Sequence, residues 1–353
     1  MRSSKLRDSL NIVRVKHAIP AMGIAVIVND TLVFIDVSGV RKLGDPAKEL
    51  ATDTWHLGSD TKAFTAAMIA RLVQAGSLSY RSTIGEIFPE LHGKILPVYD
   101  TVTLEMLLEH KAGLWHDWPE KYTRTTFDEY KGTLRYQRLQ FLSTLLTNPP
   151  EYSPGSTYSY SNTGYVIAAT MAERAANQVY ETLLDSLILR PLGISSAGWG
   201  LMNTRGLVDN TWEHEDVGKN IVPVDNILVA DNPALVNPAG RLHLTLEDWS
   251  KFIRVFFSGP SILPGVTIAR LEDALPAQPN GTPGYRDGWS IMRRKWAGGL
   301  ALNHTGSNSL NFANVWIAPG KHFAVLVTAN RGRDEAANAA AELVGMVIQM
   351  YLK

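Results

Sequence analysis

Two residues near the start of the chain could carry out serine acyl-transfer chemistry. The motif Ser59-x-x-Lys62 occurs once, after Gly58 and at the start of a predicted helix over Thr61–Ala75. A serine hydroxyl becomes a good nucleophile when a base removes its proton, and a residue three positions later lies on the same helix face. We therefore expect Ser59 to be the nucleophile and Lys62 its base.

Two interpretations of this motif stay open. Burial beside the positive end of a helix would lower the pKa of Lys62 and leave a useful neutral fraction. By itself, however, the motif is also typical of a serine that caps a helix, followed by a solvent-exposed lysine. About one chance match is expected in a chain of this size.

The second segment, Tyr160-x-Asn162, is also unique in the chain. Side chains two residues apart on an extended segment point the same way. Tyr160 could carry a proton between Ser59 and the leaving group, and Asn162 could hydrogen-bond Lys62 and a substrate carbonyl. The alternative is a buried tyrosine followed by an asparagine that caps the next helix.

The third segment, His304-Thr305-Gly306-Ser307, ends a predicted strand. Gly306 would let a substrate backbone approach the strand closely. The backbone N–H groups of Ser307 and Ser59 could form an oxyanion hole, and the strand edge could pair with a substrate. Such a sequence alone is also typical of an ordinary turn.

In order and spacing, the three segments resemble the serine β-lactamase and penicillin-binding-protein superfamily, specifically its class C-like branch of esterases, D-aminopeptidases and related hydrolases. The resemblance extends from about residue 10 to the C-terminus. It includes four segments outside the motifs, namely Thr103–Leu114, Glu151–Tyr165, Arg190–Ile194 and Pro238–Asp248. It implies a β-lactamase/transpeptidase-like fold and an acyl-enzyme on Ser59, with no metal or cofactor.

The chain departs from the superfamily pattern in two places. True β-lactamases and carboxypeptidases have Lys-Thr-Gly where this chain has His304-Thr305-Gly306. The family's lysine is a permanent cation that helps to hold a substrate carboxylate, whereas an imidazole is mostly neutral at pH 7. The second departure is the segment 309–311, where many relatives have glycines, and it predicts a narrower acceptor side.

These features favour hydrolysis of small esters or amides, because the cation that β-lactams exploit is missing. A class C-like β-lactamase, a D-amino-acid peptidase and an acyltransferase would use the same residues and remain alternatives. A non-catalytic scaffold of the same fold is a further alternative. In a chain without catalytic activity, sequence drift would be expected to replace at least one of the four motif residues. All four are present, namely Ser59, Lys62, Tyr160 and Asn162.

Three other groups of residues have types that could bind a ligand. Trp212–Asp216 contains metal-ligand types, but no second His/carboxylate pair stands at a recognisable spacing, and a solvent-exposed loop is expected. The aromatic stretch Leu114–Trp118 with Tyr122 predicts either an acyl-group wall or core packing. Asn330 and Arg331 stand where relatives contact substrate carboxylates.

The composition argues against two classes of partner, and the partner that the resemblance implies is a small-molecule ester or amide. The 353 residues include 34 Lys+Arg and 34 Asp+Glu with no basic tract, which argues against nucleic acid or an anionic membrane surface. No cysteine is present, so disulfides, thiolate nucleophiles and cysteine metal sites are excluded. The N-terminus shows no signal-peptide pattern, which predicts a cytoplasmic location or a secreted protein already processed. The oligomeric state stays open.

Apolar runs near both chain ends predict the strands. An N-terminal amphipathic helix precedes a hairpin, and four strands precede a C-terminal helix. The predicted strands are Met22–Val28, Leu32–Val40, Asp287–Arg293, Gly299–His304, Leu310–Ile317 and Phe323–Asn330, and the final helix is Asp334–Leu352. The two ends are therefore expected to share one antiparallel sheet.

Helical patterns dominate the middle of the chain. The predicted helices there include Thr61–Ala75, Leu104–His110, Arg135–Leu146 and Thr163–Ala176. We predict a single catalytic module over residues 1–353 of the α/β (α+β) class. Residues 1–75 with 285–353 would form the sheet lobe, flanked by the terminal helices, and residues 76–284 a mainly helical lobe. The site would lie between the lobes.

Overall fold

The computed structural model describes residues 2–117, 130–225, 231–257, 263–276 and 282–352. The helices are α1 Arg2–Lys16, α2 Thr61–Gln74, α3 Ile84–Ile87, α4 Leu104–Leu108, α5 Leu134–Leu145, α6 Asn162–Ala176, α7 Tyr180–Leu184, α8 Asn237–Gly240, α9 Leu246–Ile253, α10 Ile268–Glu272 and α11 Arg333–Leu352. The strands are β1 Ala21–Val28, β2 Thr31–Gly39, β3 Thr54–His56, β4 Gly198–Trp199, β5 His214–Val217, β6 Asn220–Pro223, β7 Leu242–Thr245, β8 Gly284–Arg286, β9 Trp289–Arg294, β10 Gly299–Ser307, β11 Phe312–Ala318 and β12 Phe323–Ala329.

A seven-stranded antiparallel sheet joins the two ends of the chain, in the order β2-β1-β12-β11-β10-β9-β8. The N-terminal hairpin enters through pairing of β1 with β12, from Met22 opposite Ala329 to Val28 opposite Phe323. All but the last residue of β1 are buried, as expected for a strand covered on both faces. The predicted fold class and the sheet shared by both chain ends are confirmed.

Helices cover both faces of this sheet. On one face, α1 and α11 bury a cluster that includes Leu6, Leu10 and Leu343 with Ile24 and Val325 of the central strands. On the other face, the alternate strand residues join the larger core of α2, α6 and α9. The alternation follows from the two-residue period of a strand, which sends successive side chains to opposite faces. The division into lobes at residues 76 and 284 stays a prediction.

Three predicted strand boundaries differ from the structure by two or more residues, and one of them is the strand predicted from Leu310, which begins at Phe312. Asp287 does not begin a strand, because Asp287 and Gly288 form the positive-φ turn of the β8–β9 hairpin. The strand predicted to end at His304 continues to Ser307, because β11 pairs with it as far as Ser307 opposite Phe312. The sequence around His304 does not indicate that β11 lies alongside. The ladder hydrogen bonds to β11 keep these last residues extended.

Helix α2 runs between the sheet and the other helices, and its first half is buried on all sides. Phe64 stacks on Phe252 of α9 with ring centroids 3.6 Å apart. Against the sheet, a Cβ on Gly288 would lie 2.4 Å from Ala63 Cα, so the β8–β9 turn touches the α2 backbone. The N-terminal end of α2 is thereby fixed against the sheet. Within the described ranges, no helix is both long and apolar enough to cross a bilayer.

Candidate active site

Ser59 lies in a 3₁₀ turn, Gly58–Asp60, that leads directly into α2. Gly58 begins this turn with φ +51°, a conformation that favours glycine. Lys62 is fully buried, and its Nζ lies 3.0 Å from Ser59 Oγ. The interpretation as a helix cap with a solvent-exposed lysine is therefore wrong.

The Lys62 amine has three oxygen neighbours. Nζ is 2.6 Å from Asn162 Oδ1, 2.6 Å from the Ala239 carbonyl and 3.0 Å from Ser59 Oγ. Burial lowers the pKa of Lys62 to about 7, although the nearby carboxylates of Asp117 and Asp60 oppose the shift. In the neutral amine, the two oxygens of Asn162 and Ala239 take the two hydrogens, since both are acceptors only. The remaining lone pair then faces the Ser59 hydroxyl.

Asn162 is the first residue of α6, and its amide orientation is fixed by Asp117. Asn162 Nδ2 donates to Asp117 Oδ1 at 2.5 Å. The Asn162 Oδ1 atom therefore faces Lys62. Ser161 caps the helix, accepting from the Gly164 N–H, so the interpretation of Asn162 as the cap is wrong. Sequence reasoning missed Asp117 because a carboxylate beside aromatic residues carries no distinguishing local signal.

The segment after α4 holds Tyr160 in place. Ser159 N–H donates to the His110 carbonyl, and Ser161 N–H donates to His110 Nδ1. Ser161 Oγ donates to the Trp115 carbonyl. His110 adopts φ +58°, and burial lowers its pKa well below the ordinary histidine value, so the ring is neutral. The ring of His110 packs 4.3 Å from that of Tyr160 and sets its direction.

Tyr160 reaches both members of the serine–lysine pair. The Lys62 ammonium position lies 4.8 Å from the centre of the Tyr160 ring. Burial raises the pKa of Tyr160 above its ordinary value, and a hydrogen bond with Ser59 opposes the shift. A phenol in this state keeps its proton at neutral pH. It can pass a proton by donating and accepting at the hydroxyl, while Lys62 is the group suited to act as base.

The His304–Ser307 segment of β10 packs against the serine turn. A Cβ on Gly306 would lie 1.8 Å from the Leu57 carbonyl oxygen and 2.8 Å from Ser59 N. A Cβ on Gly58 would lie 2.3 Å from Ser307 N. Two backbones in such close contact tolerate only glycine at these positions. The contact brings the N–H groups of Ser59 and Ser307 together, as an oxyanion hole requires.

The edge of β10 is open beside the serine. Strand β9 pairs with β10 only from Gly299 to Asn303, so within the described ranges no strand covers the edge beyond it. Along this part, His304 and Gly306 face inward and are buried, whereas the side chains of Thr305 and Ser307 are exposed. Ser307 Oγ donates to the Asn311 carbonyl. An extended substrate could pair with this free edge.

A cleft of about 480 Å³ has Tyr285 in its wall, whose hydroxyl lies 3.0 Å from His304 Nε2, while none of Ser59, Lys62, Tyr160 and His304 lines it. Its walls include Tyr158, Tyr285 and Gly284, and two of its cations, Arg286 and Lys111, are both bound to Glu109. This volume is sufficient for a small substrate.

Residues Trp212–Asp216 do not form a solvent-exposed loop. Glu213 and His214 are buried at the start of β5, and His214 bridges the Leu43 N–H and the Asn330 carbonyl. Glu213 Oε1 accepts from Asn308 and Asn311. Asn311 therefore points into the protein, and the narrower acceptor side expected from the segment 309–311 stays a prediction.

Asn330 and Arg331 contact other parts of the protein, so the suggestion that they hold a substrate carboxylate is wrong. Asn330 is fully buried, and its Oδ1 accepts from the Ala21 N–H. Arg331 pairs with Asp216 at 2.8 Å. In the aromatic stretch, Leu114 is buried and Trp115 packs against the core, while Trp118 and Tyr122 lie outside the described residues.

The described parts of the chain contain no group of three or more His, Asp or Glu side chains arranged to hold a metal ion. What they bring together is a serine, a buried amine, a phenol and two backbone N–H groups. Such an arrangement can activate a serine hydroxyl toward a carbonyl and stabilise the resulting oxyanion.

Comparisons with known proteins show what the chain is similar to. The sequence model of the family described as Beta-lactamase matches residues 7–346. Penicillin-binding protein 4 of Amycolatopsis lactamdurans is 24% identical over 338 residues, which cover 92% of this chain and 84% of that protein.

Solved structures of low sequence identity share the fold. An octameric penicillin-binding protein homologue from Pyrococcus abyssi is 22% identical with a TM-score of 0.76, covering 98% of this chain and 78% of that one. A class C beta-lactamase is 18% identical with a TM-score of 0.76, covering 98% of this chain and 97% of that one.

Proposed function

Because the chain belongs to the Beta-lactamase family, a family of serine hydrolases, we propose that it cleaves small esters or amides through an acyl-enzyme on Ser59. The observation that carries the proposal is the position of the Lys62 amine. Its two hydrogens have fixed carbonyl acceptors, and its lone pair faces Ser59 Oγ at 3.0 Å. A buried amine with a pKa of about 7 is half neutral at neutral pH, which suits a general base.

Acylation follows from this geometry. Lys62 takes the Ser59 proton as Oγ attacks the substrate carbonyl, and the N–H groups of Ser59 and Ser307 bind the oxyanion that forms. The carbon–oxygen or carbon–nitrogen bond to the leaving group then breaks. The proton returns from Lys62 through the Tyr160 hydroxyl to the leaving group, which departs as an alcohol or amine.

Deacylation reverses the roles. Water enters where the leaving group stood, and Lys62 with Tyr160 removes its proton as it attacks the acyl carbonyl. The Ser59–acyl bond breaks, the proton returns to Ser59 Oγ, and a carboxylic acid leaves. No metal or cofactor takes part in these steps.

The proposal is tested by comparing four substrates side by side: a short-chain ester, a long-chain ester, a D-amino-acid amide and a chromogenic cephalosporin. We expect turnover of a small ester or amide by the wild type and by the exposed-serine control Ser77→Ala, and none by Ser59→Ala. Preferential hydrolysis of the cephalosporin would overturn the ester or amide assignment. Equal turnover by Ser59→Ala would overturn the mechanism.

A further inference from the structure

His56 is a buried histidine just before the serine turn, and the steps above do not use it. It is the last residue of β3, and its side chain is fully buried. Both ring nitrogens have partners. Nδ1 lies 3.1 Å from the Gly58 backbone nitrogen, and Nε2 lies 3.1 Å from Asp231 Oδ2. The ring therefore joins the backbone of the serine turn to a buried carboxylate.

These two contacts decide where the His56 ring carries its proton. A backbone N–H group only donates, so Nδ1 accepts from Gly58, and the ring proton lies on Nε2, facing Asp231. Burial alone would raise the pKa of Asp231, but His56 and Arg241 lower it, so the carboxylate is ionised. Burial also lowers the pKa of His56, whereas Asp231 raises it above the ordinary value. A second ring proton would nevertheless have to lie on Nδ1, against the Gly58 N–H. The contact with Gly58 thus requires the ring with a single proton on Nε2.

The Asp231 carboxylate is itself fixed by the segment that follows it. Arg241 Nε donates to Asp231 Oδ2 at 2.9 Å. The same guanidinium donates to Asn237 Oδ1 at 2.7 Å, at the start of α8. Within α8, the Ala239 carbonyl is one of the two fixed acceptors of the Lys62 amine. One short segment therefore supports both the base and the partner of the histidine ring.

The Gly58 backbone is where the histidine ring can affect Ser59. A glycine lacks the steric limits of other residues, so its two dihedral angles must be fixed by its neighbours. His56 holds the N–H of the peptide group before the Gly58 Cα, and Thr61 Oγ1 donates to the Gly58 carbonyl at 2.7 Å. That carbonyl shares its planar peptide group with the Ser59 N–H. Holding both peptide groups fixes the direction in which the Ser59 N–H points.

We propose that His56, held in one tautomer by Asp231, is a positioning residue that fixes the Gly58 backbone and thereby aims the Ser59 N–H at the oxyanion. The inference rests on the proposed function, because an oxyanion forms only when Ser59 attacks a carbonyl. The oxyanion is present in the transition state and absent from the bound substrate. Loss of this hydrogen bond should therefore lower kcat and leave KM nearly unchanged.

Two amide substitutions separate the roles of the two ring nitrogens. His56→Asn places its amide near the position of Nδ1, where its oxygen can accept from the Gly58 N–H. His56→Gln places its amide near the position of Nε2, close to Asp231. With phenyl acetate, we expect the kcat loss in His56→Gln to be at least threefold larger than that in His56→Asn, with KM within threefold of the wild type in both. A smaller difference in kcat between the two folded variants overturns the role of the Gly58 contact.

A change of one substrate atom reports the oxyanion hole directly. O-phenyl thioacetate differs from phenyl acetate only by sulfur in place of the carbonyl oxygen, and sulfur is the weaker hydrogen-bond acceptor. The phenyl acetate to thionoester ratio of kcat/KM should fall at least threefold in His56→Gln relative to the wild type. A smaller fall overturns the proposal.

His243→Gln is the matched control for loss of a neighbouring histidine. His243 lies opposite His56 on β7, and its Nδ1 contacts the Gly200 carbonyl. This variant should keep the ester-to-thionoester ratio within threefold of the wild type. A fall in His243→Gln as large as that in His56→Gln would overturn the assignment to His56.

Nuclear magnetic resonance of the nitrogen-15-labelled wild type at pH 8 tests the hydrogen bond without a variant or a substrate. The nitrogen shifts should show His56 with a bare Nδ1 and a proton on Nε2, and a coupling across the hydrogen bond should join the Gly58 nitrogen to Nδ1. A proton on Nδ1, or a missing coupling, overturns the role of His56 only. A wild type that shows the coupling and hydrolyses no ester or amide overturns the proposed function only.

Discussion

Lys62 Nζ lies 2.6 Å from Asn162 Oδ1, in a contact that joins the first turns of α2 and α6. The oxygen faces the amine because the Asn162 amide nitrogen donates to Asp117. Asn162 therefore cannot turn its NH₂ group toward Lys62 without losing a charge-assisted hydrogen bond. A carboxylate that does not touch the serine thus controls which way the lysine lone pair points.

Asp117→Ala should lower kcat/KM for a neutral ester by about 10- to 100-fold, the range expected for loss of a hydrogen bond to a charged group. Asp117→Asn is the matched control, because its Oδ1 still accepts from Asn162. It should lose less activity, and it should lower the apparent pKa of the base, since the Asp117 charge raises the pKa of Lys62. Equal losses in the two variants would show that orientation of Asn162 is not the cause.

The pH dependence of acylation should report Lys62. Its pKa is lowered to about 7, and only the neutral amine accepts the serine proton. We expect kcat/KM for a neutral ester to rise about tenfold per pH unit below 7 and to level off above it. Burial also raises the pKa of Glu213 to about 7, so Glu213 titrates in the same pH range as Lys62. If Lys62 causes the rise in rate, the rise must persist in Glu213→Gln. A rate that falls as pH increases through 7 would mean that the protonated lysine is required.

Lys62 and Tyr160 should act as one proton-transfer unit. Lys62→Ala and Tyr160→Phe are each expected to lower kcat by about 10²- to 10⁴-fold while the protein stays folded. Because they serve the same transfer, their effects should not multiply. If the double variant loses the full product of the two single losses, the residues act independently.

Much of the fold could be predicted from the sequence because its strands are apolar runs and its helices have regular apolar spacing. β12 and the α6 helix are examples, each predicted to within one residue at its ends. The boundary of β10 was not predictable from local sequence, because its last residues are extended only by pairing with β11.

The parts of the site that could not be predicted are contacts between residues distant in sequence. Asp60 meets His304, and Asp117 meets Asn162, only once the sheet and helices are packed. The buried position of Glu213 could not be predicted for the same reason. Its polar neighbours in sequence suggest a solvent-exposed loop, but Asn308 and Asn311 satisfy one of its oxygens inside the protein.

Glu213→Gln should change the pH dependence of stability. Burial raises the pKa of Glu213 from 4.5 to about 7, so the folded protein binds this proton more tightly than the unfolded chain does. The resulting stabilisation is fully present below pH 4.5. This stability is lost as pH rises through 7. Gln keeps the acceptor for Asn308 and Asn311 and does not ionise.

Chemical unfolding at pH 5 and pH 8 measures this difference. Relative to the wild type, Glu213→Gln should gain about 1–3 kcal/mol of unfolding free energy between pH 5 and pH 8. Glu215→Gln, on the same strand, controls for the change in net charge. A difference that is constant between the two pH values would contradict the burial argument.

The most direct test of the acyl-enzyme account is to locate the covalent adduct left by an activated phosphonate. Intact-mass and peptide mass spectrometry of the wild type should show one stoichiometric adduct, on the peptide that contains Ser59. Ser59→Ala should lose both the adduct and ester turnover, while Ser77→Ala keeps both. Labelling of a different residue, or turnover that survives in Ser59→Ala, would contradict the account.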